Sequence, residues 1–198
     1  MQRISLLKHL RKVGLLKWMS KELPSPVIKK LYTQYVRPSL EYAAPLWHGS
    51  FPESDALQLE RIQCSVARRL LRAPWSTPKE ILLESIEWPS LRWQSEVLSL
   101  CLFLKLLNFR PEPLGDILFP FAKNRSTHSL RKPLQLLLPL AKSTSYVKSF
   151  FYRSALLWNS LPHSIQSLTS PPKFRMALEN HWHLYQYKTD SNIPFPCT

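Results

Sequence analysis

Apolar positions recur at three- and four-residue steps over most of the chain, and strict alternation is rare, so an all-α body is expected. In residues 3–13, Leu6, Leu10 and Val13 share one helical face, with Lys8, Arg11 and Lys12 opposite. Gly14 weakens this helix, so "LLKWMSKEL" either continues it or restarts it. "LPSP" then breaks the chain. Ser25 suits an N-cap and Pro26 the first position of a helix near 26–37, whose apolar positions are Val27, Leu31, Tyr35 and Leu40. A third helix is expected over about 54–73, with Leu59, Ile62, Val66 and Leu70 as its buried stripe.

"STPKEILLESIEW" carries a clear start signal: Thr77 as cap, Pro78 first, and Glu80 reaching back as a capping box. "PSLRWQSEVLSLCLFLKLL" predicts a long core helix, with Arg92, Glu96 and Ser99 outward early and apolar residues nearly all round later. From Phe109 to about Ser145 the periodicity fails; the segment is proline-rich and irregular, with room for one short β-hairpin. Order resumes in "SYVKSFFYRSALLWNSLP", where Phe150, Ala155 and Trp158 suit burial. Asn159 suits a left-handed cap there, and Pro162 forbids continuation. "SPPKFRMALENHWHLY" gives a last helix, and residues 186–198 read as a frayed tail. The expected organisation is therefore a helical segment 1–73, a helical region 74–185 with an irregular 110–145, and the tail.

Composition sharpens this picture. Three glycines against 18 prolines imply short, stiff connections with few left-handed turns. The 198 residues carry 27 Lys and Arg against 13 Asp and Glu, a net +14, which attracts polyanions such as nucleic acid. Cys64, Cys101 and Cys197 are odd in number and widely spaced, which argues against a disulfide framework. Lysines and an arginine interrupt the N-terminal apolar residues, so no secretory signal is read. The most apolar run, "VLSLCLFL", is far short of the roughly 20 residues a membrane span requires. An intracellular protein of nucleus or cytoplasm, neither secreted nor membrane-bound, is expected.

Candidate chemistry is sparse. Holding catalytic divalent cations takes clustered carboxylates, and Asp55, Asp116 and Asp190 lie far apart in sequence, each in or beside a loop. No phosphate-cradling glycine loop and no G-x-S-x-G elbow is present. "HWH" (His181, His183) lacks the second ligand pair of a zinc site, and positions two apart on a helix face away from each other. No catalytic residue, metal or cofactor is therefore expected. A stripe of arginines is the better candidate: Arg61, Arg68 and Arg72 fall within about 20° of one line, spaced roughly 10 and 6 Å along a helix. Opposite an apolar face, such a stripe suits phosphates of a duplex backbone, with Lys8, Arg11 and Lys12 as a second basic face. Among the seven Trp, some suit stacking on bases, but Trp88, Trp93 and Trp158 sit in apolar patterns that favour the core.

Taken in order, "LYTQYVRPSLEYAAPLWHG", "LERIQCSVARRLL", "TPKEILLESIEWPSL", "LFLKLLN", "STHSLR", "SFFYRSALLWNSLP" and "FRMALENHW" resemble one family. It is the region following the polymerase core in reverse transcriptases of non-LTR (LINE-type) retrotransposons of the jockey kind. The resemblance implies that residues 1 to about 73 are the thumb, which packs against the template–primer duplex, and that the rest is the helical region after it. It implies that Pro38 ends the long thumb helix, with Tyr42 and Trp47 anchoring an irregular turn, and that Trp158, Asn159 and Pro162 are signature positions. The chain departs from the family in lacking the palm with its Tyr/Phe-x-Asp-Asp carboxylates, the fingers and the endonuclease. Where relatives often pair arginines after W-x-x-L, it has Arg92-Trp93-Gln94. The expected function is that of a non-catalytic, sequence-tolerant nucleic-acid-binding piece of such a polymerase, meeting an RNA–DNA hybrid or other duplex and, in a longer copy, palm and fingers. The alternative is a helical protein-interaction scaffold or a functionless truncated copy.

Overall fold

The computed structural model describes residues 2–47, 49, 52–109, 134–138, 140–141 and 143–185; side chains of 2–10, 47 and 182–185 are not among those described. The fold is all-α, with no strand among the described residues. The hairpin envisaged between 110 and 145 lies largely outside them, as do the tail and the side chains of Lys8 and Trp47. Two compact units are formed, Met1–Glu96 and Val97–Thr198.

In the first unit α1 (Gln2–Met19) runs unbroken through Gly14. Val13 and Leu16 are its buried side chains among those described. After the break at Leu23–Pro24, α2 (Ser25–Leu31), a π-helical turn (Tyr32–Val36) and α3 (Arg37–Glu41) follow one another without interruption. The buried line is Ile28, Tyr32, Val36 and Leu40, whereas Val27 and Tyr35 are exposed. Steps of four along one face exceed the 3.6 of an α-helix, and the π turn supplies the excess. That turn also explains Pro38, expected to end the helix. The widened ladder just before it accommodates the ring, and the helix runs on to Glu41. Arg37 and Glu41 pair at 2.6 Å on the final turn. The chain reverses at Tyr42–Ala43, where Ala43 adopts φ 53°. Tyr42, expected to anchor this turn, is 80% exposed, whereas Ala44 two residues on is fully buried.

After α4 (Ala44–Trp47), α5 (Glu53–Leu71) packs on α1, and α6 (Lys79–Ile86) packs along α5. Residue 73, the expected limit of the first segment, therefore lies inside this unit. Leu59, Ile62 and Val66 are buried as their spacing predicts, with Leu70 partly so. A buried polar pair crosses the core. Gln63 accepts from the Tyr32 hydroxyl at 3.1 Å and donates to the Pro89 carbonyl at 2.8 Å, while Tyr32 stacks on Trp88 with ring centroids 4.4 Å apart. Two expected caps do not form. Pro78 and Pro24 occupy the N-cap positions of α6 and α2, one residue later and earlier respectively than Thr77 and Ser25. The Ser25 hydroxyl donates to the Leu70 carbonyl at 3.3 Å instead.

α7 (Leu91–Phe109) spans the division between the units. Ser99, expected outward, is buried; so are Gln94 and Ser95, and the Ser95 hydroxyl donates to the Leu91 carbonyl one turn back at 2.8 Å. Self-satisfaction of this kind lets small polar residues occupy a buried helix face. In the second unit Phe103 meets Phe150 and Trp158 at 6.4 and 6.1 Å, and Trp158 stacks on Phe174 at 5.9 Å. These rings come from α7, α9 (Phe150–Ser160) and α11 (Pro171–Tyr185), with the short α8 (Thr144–Val147) and α10 (His163–Gln166) beside them in sequence. Asn159 is not a left-handed cap. It stays helical, the cap is an extended Leu161, and Pro162 becomes the N-cap of α10.

Candidate nucleic-acid interface

The end of α5 decides the site. Arg72 takes a left-handed conformation at φ 51°, its N–H donating to the Arg69 carbonyl at 3.3 Å and that of Ala73 to the Arg68 carbonyl at 3.0 Å. These two bonds are the Schellman pattern, formed here without glycine. Glu87 closes α6 in the same way, at φ 60°. The scarcity of glycine therefore does not prevent left-handed turns, three of which among the described residues fall on other residue types.

The left-handed turn carries Arg72 off the line of the helix, so the expected arginine stripe divides. Arg61 is exposed on α5. Arg68 is half-buried; its guanidinium carbon lies 4.8 Å above the centroid of the Trp75 ring, and Nη2 donates to the Thr77 carbonyl at 3.3 Å. Its Nε is buried with no hydrogen-bond partner. Arg72 is exposed. In the other basic group Arg11 is exposed and Lys12 places its Nζ 4.5 Å over the Tyr35 ring.

Arg68 and Arg72 meet other cations in a cleft of about 1040 Å³, lined also by Lys17, Lys21, Arg69, Trp18 and Trp75; Arg61 is not part of it. Two helix ends build it. The Ser20 hydroxyl, at the end of α1, donates to the Lys17 carbonyl at 2.7 Å and accepts from Arg69 Nε at 2.9 Å, across 49 positions of sequence. Five cations and no carboxylate line the cleft among the described residues. The C-terminal ends of α1 and α5, the negative ends of the helix dipoles, meet there, and Lys17, Arg68 and Arg69 complement those partial negative charges. That complement is worth about 0.3–1 kcal/mol for each cation, and full positive charges outweigh the half-charge of each helix end. The surplus is positive. The ion pairs of this unit lie elsewhere among the described residues, at Arg37–Glu41, Lys79–Glu80, Arg92–Glu53 and Arg92–Glu96.

Trp18 and Trp75 are 65% and 84% exposed, far more than a tryptophan in the core, whereas Trp88 and Trp158 are buried and Trp93 is half-buried. Lys17, Trp18, Lys21, Arg69 and Trp75 escape sequence reasoning because each looks like an ordinary helix-end residue. The available signal is that "LLKWMSK" and "RRLLRAPW" both set a Trp within three residues of a basic side chain where a helical pattern ends.

No three His, Cys, Asp or Glu side chains come together among the described residues; His181 is half-buried, and the side chain of His183 lies outside them. Burial pushes the Cys64 and Cys101 thiols up from their ordinary values, which favours the protonated thiol. No helix among the described residues is long and apolar enough to cross a membrane. Compared with protein-family models, curated proteins and solved structures, the chain matches none of them.

Proposed function

We propose that the chain is a helical nucleic-acid-binding module without catalysis of its own. It corresponds to the thumb and following region of a non-LTR retrotransposon reverse transcriptase. The observation that supports this reading best is the cleft at the ends of α1 and α5, with five cations and no carboxylate. Guanidinium and ammonium groups at a helix end grip phosphates and leave base edges unread, so binding is sequence-tolerant and salt-sensitive. An RNA–DNA hybrid or similar duplex is the partner the family resemblance favours, together with palm and fingers in a longer copy. Such a module works inside the cell, in nucleus or cytoplasm.

A salt titration of binding to an RNA–DNA hybrid tests the proposal. If the exposed Lys17, Lys21, Arg69 and Arg72 each neutralise one phosphate, log affinity falls against log salt with a slope of roughly −3 to −4. Absence of binding at low salt would favour a protein-interaction scaffold or a functionless truncated copy. Template-directed primer extension by the pure chain with Mg²⁺ or Mn²⁺ would overturn the non-enzyme reading.

A further inference from the structure

The cleft carries more than charge. Trp75 is the second residue of a turn closed by the Thr77 N–H donating to the Pro74 carbonyl at 3.2 Å, so its backbone is held. Arg68 covers one face of its ring, and an exposure of 84% leaves the other face to solvent. Trp18 stands on the last turn of α1, lines the same cleft and is likewise exposed. An indole already ordered by a turn and a guanidinium loses little freedom when a flat partner stacks on it.

The interior of a duplex cannot use these rings. Its bases are stacked on one another and its outside is phosphate and sugar, which the cations alone would hold. Bases of an unpaired strand are free to stack, and every base has a π-face, so the contact is indifferent to sequence. A volume of about 1040 Å³ is at the upper end of what ligand clefts enclose, which leaves room for more than a single base. We infer that the cleft binds the unpaired strand flanking a duplex, with phosphates on Lys17, Lys21, Arg69 and Arg72 and bases on Trp18 and Trp75. This rests on the nucleic-acid reading above and changes its ligand at this place from paired to unpaired.

Three fluorescent probes test it at one salt concentration: a blunt RNA–DNA hybrid, the same hybrid with an unpaired pyrimidine overhang, and one whose overhang is abasic sugar-phosphate. The overhang should bind at least about fivefold more tightly than the blunt hybrid, the expected effect of stacking one base. The abasic overhang should lose most of that gain. Trp18→Ala with Trp75→Ala should erase the preference of the overhang over the blunt hybrid, while Trp75→Phe, which keeps a ring, retains part of it. Equal gains from the normal and abasic overhangs, or a preference untouched by both Trp variants, would overturn the inference and leave the nucleic-acid reading standing. Failure of every probe to bind at low salt would overturn both.

Discussion

Asn159 holds the backbone of Leu136 with both ends of its amide: Oδ1 accepts the Leu136 N–H at 2.8 Å and Nδ2 donates to the Leu136 carbonyl at 2.9 Å. A side-chain amide here does what a neighbouring strand would do, for a segment that has none among the described residues. Trp158 adds a third bond from Nε1 to the Leu134 carbonyl at 3.0 Å, so consecutive residues of α9 pin the segment around the buried Leu136. Asn159→Ala leaves one donor and one acceptor without partners and should destabilise the protein by about 1–3 kcal/mol. Hydrogen exchange reads it directly. The Leu136 amide should exchange faster in the variant, by a larger factor than amides within α9.

This pairing also shows where sequence reading stops. Asn before a proline suggests a helix cap, but the partner lies 23 positions earlier in a segment without periodicity, and no local pattern connects the two. Helical spacing recovered the faces of α5 and of the aromatic core around Trp158, because each is read within a single regular helix. It placed Val27 and Tyr35 on the buried line one residue short of Ile28 and Val36, while Leu31 packs partly against the core and Leu40 is buried as expected; the steps of four that a π turn takes up carry no signature residue. The same reasoning aligned Arg61, Arg68 and Arg72 correctly on an ideal helix, and missed that α5 ends one residue before Arg72. The cleft was illegible altogether. It joins two helix ends far apart in the chain, and long-range closure leaves no mark on either stretch alone.

Left-handed caps on residues other than glycine carry a cost that substitution should relieve. A side chain in this region costs roughly 1–2 kcal/mol, and glycine returns part of that as greater freedom in the unfolded chain. Glu87 is the clean test, since its side chain is exposed and its cap bonds come from the backbone. Glu87→Gly should stabilise the protein by about 0.5–1 kcal/mol, seen as a higher denaturant midpoint with an unchanged slope. Glu87→Ala, which keeps the Cβ, should not give that gain.

Glu60 makes stability depend on pH. Its Oε1 accepts the Arg92 N–H at 3.0 Å at the start of α7, while Oε2 is buried with no partner. Burial pushes its carboxyl up from the ordinary value of 4.5, against the opposing pull of the Arg92 and Leu91 N–H groups and of Lys79 and Arg92. Raised in the folded state, the group binds its proton more tightly there than in the unfolded chain. Its contribution is therefore complete below the unfolded value and is lost as pH rises through the folded one. Glu60→Gln keeps an acceptor for Arg92 and carries no charge to desolvate. Relative to the wild type it should gain stability as pH is raised from below 4.5 towards neutrality. A wild-type-minus-variant difference that stays flat over that range would contradict the assignment.

The arginines of α5 should separate into two kinds. Arg68 is engaged with Trp75 and the Thr77 carbonyl, so Arg68→Gln should lower stability by about 1 kcal/mol, the sum of a partly exposed cation–π contact and a modest hydrogen bond. Arg61→Gln and Arg72→Gln remove exposed side chains and should each change stability by less than about 0.5 kcal/mol. Binding divides them differently. Arg72 lines the cleft, so its loss should flatten the dependence of log affinity on log salt, for a hybrid carrying an unpaired overhang, by roughly 0.7–0.9, the share of one phosphate. Arg61 stands outside the cleft, and its loss should leave that slope unchanged. Lys17→Gln and Lys21→Gln should behave as Arg72→Gln does, with no change in sequence preference, because phosphate contacts carry no base information. If Arg61→Gln instead flattens the slope as much as Arg72→Gln, the phosphates follow the exposed side of α5 and not the cleft.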